Sequence, residues 1–193
     1  MLILFENGLI QFGWLGLLGG LLAAAVWHDV KSYRIPNMIV FPGTALALLL
    51  HACVPSGVSF MGMLGEVGLL QALGGLALGL ASLLPLYLIR AAGAGDVKLM
   101  AMVGAFLGPN DALGAVLCTY ILGALLALTC AWRIRVLSRM AHNLQVIVCS
   151  VFARLAAASG PSFDSSTETA AKMPYSIAIA TGTATWIVLR HFA

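Results

Sequence analysis

The chain of 193 residues is 61% hydrophobic and only 9% charged. Soluble domains carry about 45–50% apolar and ~25% charged residues, so this chain lacks the polar surface to coat a water-soluble globule. A disordered chain, a nucleic-acid module and a large soluble appendage are excluded. What remains is an all-α polytopic membrane protein, one domain over residues 1–193 with the lipid bilayer as its partner.

Six apolar segments follow in chain order: 9–28, 37–54, 67–89, 97–108, 111–132 and 175–190. Most suit a span of roughly 17–25 residues. The first has no basic n-region and no A-x-A site after it, so it is expected to stay as a span and not to be cleaved. Orientation follows from the ten basic residues. With the N-terminus outside, Lys31, Arg34, Arg90, Lys98, Arg133, Arg135, Arg139, Arg154 and Lys172 fall on the cytoplasmic side, and only Arg190 outside. That partition obeys the positive-inside rule, and the opposite orientation inverts it.

The fourth segment is short: its 12 residues give about 18 Å against ~30 Å of hydrocarbon. Pro109-Asn110-Asp111 after it reads as a polar turn reaching the outer face or a protein-lined cavity. If that turn sits near the outer surface, Asp96 lies below the cytoplasmic surface. If the helix begins earlier, near Arg90, Asp96 sits inside it or at a break, and either geometry submerges a carboxylate. Between the last two spans, over 133–172, Leu137, Met140, Leu144, Ile147, Val151 and Leu155 recur at spacings of three and four among arginines. This predicts an amphipathic helix on the cytoplasmic leaflet, followed by a flexible loop over 159–169.

Cys53, Cys118, Cys130 and Cys149 form no C-x-x-C pair, so no zinc site, disulfide framework or cofactor is expected, and the thiols are expected as small buried hydrophobes. Three pairs of glycines four apart, Gly16 with Gly20, Gly75 with Gly79 and Gly104 with Gly108, offer faces for close helix packing.

Of seven acidic residues, only Asp29 and Asp96 meet the membrane from the cytoplasmic side. A carboxylate there is costly and marks a functional site by default. The plainer readings are a solvated helix end for Asp29 and a helix N-cap for Asp96. Gly93 and Gly95 before Asp96 allow close backbone approach and positive φ, or simply a turn. Pro36 pre-sets the first turn of the second span and pushes Ile35 toward extended geometry. Asn37 then offers its amide to a peptide backbone or caps its own helix. Lys31, Arg34 and Lys98 either stabilise ionised carboxylates or snorkel to lipid phosphates.

The stretch Asp29-Val30-Lys31-Ser32-Tyr33-Arg34-Ile35-Pro36-Asn37, together with Gly93-Ala94-Gly95-Asp96-Val97-Lys98, resembles the type IV prepilin peptidase family, the aspartic GxGD membrane peptidases. A third stretch, from Lys172 through Pro174 and Tyr175 to Gly182, is similar to that family's final-helix signature. The resemblance implies a peptidase of the bacterial cytoplasmic membrane that cleaves prepilin or pseudopilin leaders at the cytoplasmic face. It further implies that Asp29 and Asp96 are the catalytic pair and that Gly93 and Gly95 shape the site. Longer members carry an N-terminal region with two C-x-x-C pairs, for which residues 1–8 leave no room. The expectation is therefore the short form of tight-adherence (Flp) pilus systems, with no ground for N-methyltransferase activity. Two other classes compete: a non-enzymatic scaffold of a pilus or secretion assembly, and a small proton-coupled transporter.

Overall fold

Apolar runs rich in Leu, Ala and Met, with no period-two alternation, fold as helices. The computed structural model describes residues 2–32, 34–53, 68–88, 92–133 and 175–192, all of which lie in or beside helices. The elements are α1 (Leu2–Ser32), α2 (Asn37–Cys53), α3 (Leu69–Leu88), α4 (Ala94–Arg133) and α5 (Ser176–Phe192). Residues 1–123 with 174–193 make one compact unit and 124–173 another. The expected amphipathic helix over 133–172 and the loop over 159–169 lie outside the described residues.

Three helical stretches are long and apolar enough to cross a membrane: Gly13–Ser32, Leu69–Leu88 and Ala94–Cys130. The 17-residue helix α2 is apolar as well. The surface agrees with them. Leu113, Leu117 and Ile121, at a spacing of four along α4, are each more than half exposed, as are Trp27, Met38 and Leu70 on other helices. Apolar surface on this scale is covered by lipid more readily than by water.

Helix α4 holds the expected pair of segments, joined by a kink and not by a longer polar turn. It begins at Ala94 and places Asp96 in its first turn. It then breaks at one residue, Gly108, with φ 78° and ψ 173°. Only glycine adopts that φ without strain, and Pro109, whose φ is fixed near −65°, starts the second limb. The polar turn thus shrinks to a single glycine.

Neighbours along α3 show that the chain folds back there. A Cβ on Gly79 would overlap Met100, one on Gly75 would overlap Gly104 and Gly108, and one on Gly74 would touch Pro109. Farther along, Tyr120 donates its hydroxyl hydrogen bond to the Ser82 carbonyl. The first limb therefore runs antiparallel to α3 and the second parallel to it. The helical segments of this unit alternate in direction, so α1 ends where α2 begins and α3 ends where α4 begins.

The first limb is the centre of the core. Leu99, Met100, Met102, Val103 and Phe106 are fully buried and pack with Leu18 and Leu22 of α1, Val40 of α2, Leu83 of α3 and Ile179 of α5. A helix apolar on every face belongs at such a centre. Close packing against α3 depends on Gly75, Gly79 and Gly104, whose backbones touch directly. Gly16 and Gly20 of α1 do not share this role, because no described atom lies within 4 Å of a Cβ placed on either. The cysteines also differ from expectation. Cys53 is exposed and Cys118 and Cys130 are half-buried free thiols, since each sits on the outward face of its helix.

Candidate active site

The end of α1, the start of α2, the start of α4 and the start of α5 supply the polar groups of one end of the first unit. Asp29, four residues from the end of α1, is 7% exposed, and Asp96, in the first turn of α4, is 8% exposed. Asp29 lies close enough to Asp96 for its charge to act there. Sequence spacing of 67 residues is bridged by packing helices.

Each carboxylate has one oxygen held. The Gly93 N–H donates to Asp96 Oδ2 at 2.9 Å. Gly93 caps α4, because its carbonyl accepts from the Asp96 and Val97 N–H groups, so Asp96 occupies the third helical position and reaches back to the cap. The N-cap expectation for Asp96 is corrected accordingly: the cap is Gly93. Positive φ is corrected too, since the one positive-φ glycine among the described residues is Gly108, and Gly93 and Gly95 serve by closeness alone. At Asp29, the Ser176 hydroxyl donates to Oδ2 at 2.6 Å from the first turn of α5.

Both carboxylates also meet helix N-termini: Asp96 lies in the first turn of α4, and Asp29 is bonded to the first residue of α5. Unpaired N–H groups there favour negative charge, which eases the burial of two carboxylates together. Tyr175, half-buried just before α5, is near enough to Asp96 to feel its charge.

The basic residues act elsewhere. Lys98 Nζ donates to Asn37 Oδ1 at 3.1 Å and lies 5.1 Å from the centre of the Phe41 ring, which ties α4 to α2. Lys31 and Arg34 are exposed. Neither aspartate has an ion pair among the described residues, where the one salt bridge joins Arg190 to Asp111. Spacing explains this. Lys31 and Lys98 each stand two positions after an aspartate, and residues two apart on a helix face different ways. Pro36 stands just before α2, its carbonyl accepting from Ile39 N–H at 3.1 Å. Ile35, in the linker, rests on Gly95, where a Cβ would sit 3.0 Å from the Ile35 Cβ. Gly95→Val forces that linker away from Asp96. The expected result is a lower Tm for Gly95→Val than for a milder Gly95→Ala, with both proteins still inserted, measured by thermal unfolding in detergent.

Ser176 was not among the residues singled out by sequence. Its signal was a hydroxyl at the head of the last apolar segment, but its partner lies 147 positions away. The opposite end holds a second polar group. Asp111, 5% exposed, accepts from Trp186 Nε1 at 3.1 Å and pairs with Arg190 Nε at 3.8 Å. Of the two expected placements for the polar turn, the outer face or a protein-lined setting, the burial of Asp111 against α5 fits the second. Among the described residues no three His, Cys, Asp or Glu side chains gather to hold a metal.

No curated protein and no solved structure matches the chain. The sequence profile of the type IV leader peptidase family does match, over residues 16–128. That stretch exceeds half the chain and contains Asp29, Asp96 and the glycines beside Asp96. The chain therefore belongs to the type IV leader peptidase family.

Proposed function

We propose that the chain is a membrane aspartic endopeptidase, with Asp29 and Asp96 as its catalytic pair, that removes the leader from type IV-like (Flp) prepilins or pseudopilins. The observation that carries this reading is the pair itself: two buried carboxylates from different helices, interacting at one end of a family member. One carboxylate takes a proton from water as the water oxygen attacks the scissile carbonyl carbon. The other gives its proton to the amide nitrogen as the C–N bond breaks. The leader leaves with a new carboxylate and the mature subunit with a new amine. Like charges held close cannot both ionise cheaply, so one shared proton divides the roles.

Six spans with both termini outside put this end at the cytoplasmic face of the inner membrane. The fold-back at Gly108 supports that count, since it gives α4 two antiparallel limbs. So do the charges, with Lys31, Arg34 and Lys98 at the aspartate end and Arg190 beside Asp111 at the other. A prepilin with a basic leader in the cytoplasm and an apolar stalk in the bilayer then presents its cleavage site at this level.

The test is cleavage of a prepilin peptide by purified protein across pH. A shared proton gives a bell-shaped profile with two apparent constants that belong to the pair. Chelators are expected to leave the rate unchanged. A strict requirement for added zinc overturns the aspartic mechanism.

A further inference from the structure

We propose that Ser176 is a positioning residue that fixes the Asp29 carboxylate for catalysis; this rests on the aspartic-peptidase reading above. The contact is 2.6 Å long, within the range of a hydroxyl bonded to a charged oxygen. Ser176 is wholly buried and Asp29 nearly so, which leaves no room for solvent to take over the donor's place. A carboxylate with no donor turns about its last bond. With Oδ2 held by Ser176, Oδ1 is left to face Asp96 and the attacking water.

The bond also joins the two ends of the unit's sequence. It links the last turn of α1 to the first residue of α5, so docking of α5 is what sets the Asp29 geometry. The family match ends at residue 128, well before Ser176. Ser176 falls within the stretch from Lys172 to Gly182 that resembles the family's final helix, and its role is read from this contact.

Three variants separate positioning from packing. Ser176→Ala removes the donor and leaves a small gap. Ser176→Cys keeps nearly the same volume but offers only a weak donor. Thr183→Val removes a different buried hydroxyl from α5, one with no hydrogen-bond partner among the described residues. Each is purified beside wild type, Asp29→Asn and Asp96→Asn, with folded fraction measured by thermal unfolding, and kcat and KM are read on a prepilin peptide.

Both Ser176 variants are expected to lose about 10- to 100-fold in kcat, with KM within roughly twofold, because Ser176 touches Asp29 and not substrate. Thr183→Val keeps wild-type constants. If Ser176→Cys retains wild-type kcat while Ser176→Ala loses it, the side chain acts by volume and the inference falls. It falls equally if both keep wild-type kcat, or if both lose their fold. Should Asp29→Asn or Asp96→Asn still cleave normally, the aspartic reading itself fails and takes this inference with it.

Discussion

Asp29→Asn and Asp96→Asn are each expected to stop prepilin maturation while leaving an inserted, folded protein. Either change swaps a carboxylate for an amide of nearly the same shape. The amide oxygen still accepts from Ser176 at one position and from the Gly93 N–H at the other, so the local bonds survive. What is lost is the ability to take up or give a proton at neutral pH. General acid–base catalysis supplies about 10²–10⁴-fold per group, and losses of at least that size are expected. The readout is the ratio of unprocessed to mature pilin, with membrane levels of each variant measured alongside. Lys98→Gln is a useful contrast. Its ammonium is held by Asn37 and Phe41 and not by either aspartate, so a reduced but measurable rate is expected.

Gly104→Ala is expected to have the largest effect on the fold. A single Cβ there would overlap the Gly75 backbone, and no rotamer change can relieve a clash between two backbones. The helices must separate across the most buried part of the core, where Met100 and Val103 adjoin the contact. Overpacking a core costs typically about 1–3 kcal/mol, and a backbone clash belongs at or above the top of that range. Gly16→Ala and Gly20→Ala are the controls. Both stand in the same four-residue glycine spacing, yet no described atom lies within 4 Å of the added carbon. Thermal unfolding in detergent should show a large drop in Tm for Gly104→Ala and almost none for the α1 pair. Equal drops contradict the helix packing described above.

These contrasts show what sequence patterns carry and where they stop. Apolar run length located helices well: 37–54 became Asn37–Cys53, 67–89 became Leu69–Leu88 and 175–190 became Ser176–Phe192. Run length counts only how many apolar residues succeed one another, so it missed the ends of α1, which extends from Leu2 to Ser32 through polar positions. It left the start of α4 open between Val97 and a point near Arg90, and Ala94 lies between the two. Asp29 and Asp96 stood out because charge at a membrane boundary is rare, and packing then brought them together. Their donors did not stand out. Serine and glycine are common, and only the tertiary fold puts Ser176 beside a carboxylate 147 positions away. The same limit hid the Asp111–Trp186–Arg190 group, whose members come together only when α5 docks on the second limb of α4. By contrast, the separation of Lys31 and Lys98 from the aspartates was readable from helical geometry alone.

The central claim is that Asp29 and Asp96 together hydrolyse a prepilin leader. Its most direct test is mass spectrometry of a synthetic prepilin peptide incubated with the purified protein in lipid nanodiscs. The account predicts a single cut between the basic leader and the apolar stalk, with both fragments released and no cut by the Asp29→Asn, Asp96→Asn double variant. An intact peptide with folded wild-type protein, or the same cut made by the double variant, contradicts it.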